Sequence, residues 1–434
     1  MTAYWCERAW LGDEGFVDGV IVEVEGTHIA AVDRGEPPHG AERLAGLTIP
    51  GFANSHSHAF HRTLRGRAQR ERGSFWTWRD TMYDVGERLD PDRYHALALA
   101  TYQEMALTGI TAVGEFHYLH HESSGSPYND PNAMGEALVA AAREAGLRIT
   151  LLDACYLSAG FDAPAEGVQR RFSDGNADRW ATRVQALAFD DPGVVVGAAI
   201  HSVRAVPRDQ LATVANALPG SPLHIHLSEQ SAENEACHDA YGLTPTGLIA
   251  DAGVLSDRLS VVHATHLTDS DILTLAAAQV YAGFCPTTER DLADGVGPAR
   301  ELVDAGARLT LGSDSHAVID MHEEMRAVEL DTRLQTQLRG HFRAAELIAA
   351  ATSNGHASLG FPDGGRIAAG AWADLVTIDP ASLRTAGTGG GEETVVFAAT
   401  AADIVSVIAS GRRVALDRAE VADRLAASIG AVVS

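Results

Sequence analysis

Lysine is absent: all 33 basic residues of this 434-residue chain are arginine. That excludes every mechanism that needs a lysine amine. Schiff-base and pyridoxal phosphate chemistry, Walker-type phosphate loops and metal pairs bridged by a carbamylated lysine all fall away. Cysteine is scarce. Cys6, Cys155, Cys237 and Cys285 form no CxxC pair, which fits a reduced cytoplasmic protein better than a disulfide-stapled secreted one. No run reaches the roughly 18–20 apolar residues of a membrane-spanning helix. The first residues, MTAYWCERAWLGDEG, carry acids where a signal peptide has its apolar stretch. A cytoplasmic location with no membrane partner is therefore expected. Positive charge is outweighed, with a net charge of −25. Such a surface repels phosphate backbones, so nucleic acid is not an expected partner either.

Two rhythms divide what is present. Residues 1–50 and about 365–434 hold alternating stretches such as GVIVEVEGTHIAAVD and DLVTIDP, the period of half-buried strands. They are expected to pair into one small flanking β-sandwich domain built from both termini. TAGTGGGEE (385–393) reads as a flexible surface loop. Between them, residues 51–364 alternate short apolar runs with helical stretches, the pattern of parallel βαβ units. The runs are GFANSHSH (51–58), ITAVGEFHY (110–118), RITLLDACY (148–156) and VVVGAAIHSV (194–203), then PLHIHLSE (222–229), LSVVHATH (259–266), QVYAGFCP (279–286) and RLTLGSDSH (308–316). Eight such units predict an α/β fold of the (β/α)₈ TIM-barrel type.

Nearly every run begins apolar and ends in His, Asp, Glu, Cys or Tyr. Barrel active sites lie at the carboxyl ends of the strands, so this gradient is that of a catalytic barrel. His56 and His58 stand two apart, and positions i and i+2 of a strand project to one face. The fifth run adds His224, His226 and Glu229, the sixth His263 and His266, and the eighth Asp314. Imidazole and carboxylate converging from several strand ends make a zinc-type ligand set with room for water. His28, His39, His95, His341 and His356 lack such company and read as ordinary core or surface histidines. Six arginines, Arg62, Arg65, Arg67, Arg70, Arg72 and Arg79, follow the first run. Most are expected to pair with acids, but arginine is also the side chain that clamps carboxylates bidentately.

HSH in the first run, HxxE in the fifth, His in the sixth and SD in the eighth resemble the amidohydrolase superfamily, in its single-metal deaminase branch. The likeness spans essentially the whole chain, including the domain made of both ends. More narrowly, GFANSHSHAFHR, FWTWRDTMY, GEFHYLHH, AIHSVRAV, HIHLSEQ, VHATH, CPTTERDLADG and GSDSH resemble the formimidoylglutamate deiminase family of histidine degradation. The resemblance implies one Zn²⁺ per chain held by His56, His58, His226 and Asp314. Fe²⁺ or Mn²⁺ would suit the same donors. It implies that Asp314 helps take a proton from the attacking water, that Glu229 shuttles protons and that His263 stabilises developing charge. It singles out Arg79 and Arg204 as carboxylate clamps, and His61, Tyr118 and His201 as further substrate contacts. It also implies a small-molecule substrate and a homodimer. One position departs from the family, which has Gln where this chain has His61; the change bears on substrate preference. Two alternatives share the fold: another single-metal aminohydrolase acting on a nucleobase, amidine or guanidine, and a barrel that has lost its chemistry. The second would be expected to lack ligands, and none is missing.

Overall fold

The computed structural model describes residues 2–69 and 75–433. Four strands open the chain: β1 (Thr2–Trp10), β2 (Phe16–Glu25), β3 (His28–Arg34) and β4 (Glu42–Pro50). Eight more follow in the central part: β5 (Phe52–Ser57), β6 (Ile110–His117), β7 (Arg148–Cys155), β8 (Val194–Ile200), β9 (Leu223–Leu227), β10 (Leu259–His263), β11 (Tyr281–Phe284) and β12 (Arg308–Leu311). The chain then adds β13 (Leu375–Ile378), β14 (Ile404–Ala409) and β15 (Arg412–Arg413). Each of the eight expected runs carries one central strand.

β5 to β12 form a parallel series in sequence order, hydrogen-bonded neighbour to neighbour. Every residue of β5, β6 and β7 is buried, because helices cover the outer face and side chains fill the inner one. This explains continuous apolar runs in place of alternation. The series closes where β5 meets the segment after β12. Ser57 pairs with Asp314, Asp314 N–H donates to His56 O at 2.9 Å, and His58 N–H donates to Asp314 O at 3.2 Å. Gly312 permits that seam: a Cβ there would lie 2.7 Å from His56 O.

The flanking domain is one seven-stranded hydrogen-bonded sheet, ordered β15-β14-β13-β4-β1-β2-β3. β1 and β4 run parallel and the other pairs antiparallel. Both chain ends contribute, with Leu375 opposite Pro50 and Tyr4 opposite Glu42. Alternate residues Val20, Val22 and Val24 bury one face together with Cys6, Leu44 and Ile408. The stretch 385–393, expected as a flexible loop, is tied to β1. Arg8 donates to Gly390 O at 2.7 Å and Trp10 to Glu392 Oε1 at 2.6 Å. Composition alone concealed those two tethers. The chain finishes in a helix, Arg418–Val433, whose buried stripe Val421, Leu425, Ile429 and Val432 packs on the barrel helix Pro91–Leu107. Among the described residues no helix is long and apolar enough to cross a membrane.

A buried charge network braces the barrel wall. Arg183 donates to Asp153 at 2.8 Å and to Asp174 at 3.0 Å, and Trp180 Nε1 donates to Asp153 Oδ1 at 2.8 Å. His117 and His120 stand beside Asp153, yet its oxygens are already taken, so the cluster is a brace. Burial alone would raise the Asp153 carboxyl, but Arg183 and His120 override it and hold it at about 2. Asp174 is likewise held below its usual range. Carboxyls lowered on folding stabilise the protein above their ordinary range and lose that contribution as pH falls through the folded value. The unfolding midpoint should therefore fall between about pH 4 and 2. Arg183→Ala, which strands two buried carboxylates, should lower stability at pH 7 by about 3–5 kcal/mol. A urea titration at each pH measures both, and a variant as stable as the parent at pH 7 contradicts the bracing role.

Candidate active site

The site lies at the carboxyl ends of the barrel strands, with His56, His226 and His263 in the strands themselves and other members one to three residues past the last ladder pair. Tyr118 follows β6, His201 follows β8, Glu229 follows β9 and Asp314 follows β12. The backbone leaves the strands by left-handed turns, at φ +51° for Ser228, +69° for His263 and +41° for Asp314. Non-glycine residues adopt that region at a cost, and such strain concentrates at functional sites.

His56, His58 and His226 form one group of donors, and Asp314 reaches two of them, His56 and His58. His226 Nε2 lies 3.0 Å from His56 Nε2. Asp314 Oδ1 lies 3.3 Å from His58 Nε2 and 3.6 Å from His56 Nε2. Imidazole nitrogens and a carboxylate oxygen at such separations could share one divalent ion. The tautomers agree. His58 Nδ1 donates to Phe116 O at 2.8 Å, and His226 Nδ1 donates to His201 O at 2.9 Å. A carbonyl only accepts, so both rings carry their proton on Nδ1 and turn the Nε2 lone pair inward. Burial, with mutual repulsion among the imidazoles, pushes His56 and His226 well below their ordinary value. Burial also pushes His58 down to about 3. Neutral imidazole is the ligating form, so these residues fit a divalent metal ion. His224, two residues earlier on β9, lies 3.4 Å from Ser358 O and outside the set.

Acids ring His263. Its Nε2 is 3.9 Å from Glu229 and 3.8 Å from Asp314, and its Nδ1 is 3.3 Å from Glu289. Burial works against protonation, but the surrounding carboxylates outweigh it and raise His263 to about 10. Asp314 is pushed up to about 7 by burial, against the pull of His263. Glu289 and Asp294 were not singled out from the sequence. Glu289 also accepts from Cys285 N–H at 2.9 Å. Burial and the nearby Glu229 raise Asp294 to about 9. Both lie in CPTTERDLADG, where the resemblance is strong but spacing assigns no role.

A cavity opens beside these groups. All five expected substrate contacts, His61, Arg79, Tyr118, His201 and Arg204, line it with His58, His226, Glu229, His263 and Asp314. Residues 47–414 match the amidohydrolase family. The chain belongs to that family. It is 37% identical over 394 residues to formimidoylglutamate deiminase of Pseudomonas aeruginosa, an alignment covering 87% of this chain and 86% of that one. It is 30% identical over 345 residues to a 5-methylthioadenosine/S-adenosylhomocysteine deaminase of Natronomonas pharaonis, covering 77% and 73%. Its fold superposes on an amidohydrolase from Brucella melitensis with a TM-score of 0.92, 32% identity and full coverage of both chains.

The structure adds the pairings of the polar residues that line the amidohydrolase cavity. His61 Nε2 is 2.9 Å from Tyr118 Oη, and its ring lies 4.5 Å from that of His58. Arg204 Nε pairs with the buried Glu233 at 3.3 Å. Arg79 lies 5.4 Å over the Tyr83 ring. Of the other arginines, two of the three described show the expected pairing with an acid. Arg62 and Arg65 both reach Glu104 at 2.7 Å, and Arg67 donates to Thr63 O. Arg70 and Arg72 lie outside the described residues. His316 is not among the residues lining the cavity; its Nδ1 is 2.9 Å from Ser313 Oγ and its Nε2 3.2 Å from the Oγ of Ser57, which stands between His56 and His58.

Proposed function

We propose that this amidohydrolase is a zinc-dependent deiminase that hydrolyses N-formimidoyl-L-glutamate to N-formyl-L-glutamate and ammonia. The observation that carries the reading is the composition of one cavity: Arg79 and Arg204 line it together with His58, His226 and Asp314. Two guanidinium groups suit a substrate with two carboxylates, and without them a surface of net charge −25 would repel it.

His56, His58, His226 and Asp314 would hold the zinc ion. A bound divalent ion supplies Lewis-acid activation of water near neutral pH. Asp314 accepts a proton from the attacking water. His263, cationic among its acids, orients the attacking water and stabilises charge on the developing tetrahedral centre. Glu229 passes a proton to the imino nitrogen. A C–O bond forms at the formimidoyl carbon, the C–N bond to the imino nitrogen breaks, and both water hydrogens leave on ammonia. His61, Tyr118 and His201 hold the substrate against the metal side. The same reading places the enzyme in histidine degradation, in the cytoplasm, as a homodimer.

The test is ammonia release by metal-replete protein offered N-formimidoyl-L-glutamate, guanidino acids and 5-methylthioadenosine. Selective release from N-formimidoyl-L-glutamate is expected. Release from the nucleoside alone would favour the second reading, a nucleoside aminohydrolase, which the likeness to the Natronomonas enzyme supports. Metal analysis of the same preparation distinguishes zinc from iron and manganese.

A further inference from the structure

Gln169 lies behind the cavity wall, in the short helical segment Gly167–Phe172, and is 5% exposed. Its amide makes three contacts. Glu166 N–H donates to its Oε1 at 3.1 Å. Its Nε2 lies 3.1 Å from Tyr83 Oη and 3.0 Å from Tyr156 Oη. A backbone N–H is only a donor, so the amide atom facing it must be the carbonyl oxygen. The NH₂ group is thereby turned to the two tyrosines and donates to both.

That orientation dictates what the tyrosines can do. Each phenol oxygen already accepts from Gln169, and each still has one O–H to donate. At most one of those protons can be used between the two hydroxyls, so at least one is left for another acceptor. Both tyrosines line the cavity, as do Arg79 and Arg204. Burial raises the Tyr156 phenol, and Tyr83 beside it adds to the shift, so it stays protonated. Phe172, from the same segment as Gln169, lies edge-on to Tyr156 at 5.3 Å and fixes its ring.

We infer that Gln169 is a positioning residue for substrate specificity, holding Tyr83 and Tyr156 as hydroxyl donors that complete, with Arg79 and Arg204, the subsite for a substrate carboxylate. The inference rests on the dicarboxylate reading above and deepens it. Guanidinium groups supply charge, whereas the tyrosines supply neutral, directional donors. The pair therefore discriminates a carboxylate from the amide that would replace it, because an amide presents one acceptor and an unwanted donor.

Binding rather than turnover is the readout, which keeps the two readings separable. Calorimetry on the metal-replete protein would compare N-formyl-L-glutamate with its glutamine and isoglutamine analogues, each lacking one carboxylate. The parent should prefer the dicarboxylate. At least one of Tyr156→Phe and Tyr83→Phe should weaken dicarboxylate binding about tenfold or more, the scale of a hydrogen bond to a charged group. The affinity for one of the two monocarboxylates should change little. Gln169→Met, of similar size and uncharged, should give the same pattern, and should add little once both tyrosines are phenylalanine, because coupled residues are not additive. A merely structural Gln169 would weaken all three ligands alike. That outcome overturns the inference, as does an undiminished Gln169→Met effect in the double phenylalanine background, or a parent with no preference for the dicarboxylate. If Gln169→Met fails to fold, the tyrosine variants still decide. Absence of ammonia release by the parent would sink the deiminase reading without touching the binding comparison.

Discussion

Glu229→Gln is expected to lower turnover by about 10²–10⁴-fold, the usual contribution of a general acid–base group. Glu229 follows the fifth barrel strand, is 8% exposed and lies 3.9 Å from His263 Nε2. It lines the cavity with Asp314 but falls outside the His56, His58, His226 cluster. Glutamine keeps the shape and the acceptor oxygen and removes only the transferable proton. The variant should therefore unfold at the same temperature and bind the same amount of metal as the parent. Steady-state ammonia release beside metal analysis separates the outcomes. Near-full activity would remove Glu229 from the proton path. Lost metal would instead make it a ligand, contrary to the geometry.

Arg204→Ala should reduce kcat/KM for N-formimidoyl-L-glutamate by about 2–5 kcal/mol, the scale for removing one partner of a buried charge pair. That is roughly 30-fold to several thousand-fold. Part of the loss would not concern the substrate at all. Arg204 also neutralises Glu233, which is 3% exposed, and the alanine variant leaves that carboxylate buried and unpaired. The double variant Arg204→Ala with Glu233→Gln removes this second effect. If the arginine clamps substrate, the double variant should regain stability yet stay impaired towards the dicarboxylate. If it recovers activity as well, Arg204 serves only to cover Glu233, and the nucleoside reading gains.

Those two residues show why part of the site was legible in the linear chain and part was not. Glu229 stands three residues after His226, at the end of an apolar run, and strand period with barrel geometry suffices to put both at one mouth. The same holds for HSH, for His263 and for the Asp of GSDS. Glu233, by contrast, is one acid among 58 Asp and Glu residues, on the helix Ser231–Tyr241. Only the fold brings its carboxylate to Arg204, which follows β8. Glu289 likewise reaches His263 from a helix following a different strand.

The chain by itself determined the barrel, the two-ended sheet and the metal-type donors, because strand period and the convergence of strand ends are local rules repeated eight times. The seam, the partners and the cavity wall were decided only in three dimensions. Asp314 meets His56 and His58 because the last strand closes on the first. Gln169 turns towards Tyr83 and Tyr156 because a single backbone N–H orients its amide. Such pairings join residues far apart in sequence, and side-chain direction, which spacing does not encode, selects among the many possible partners.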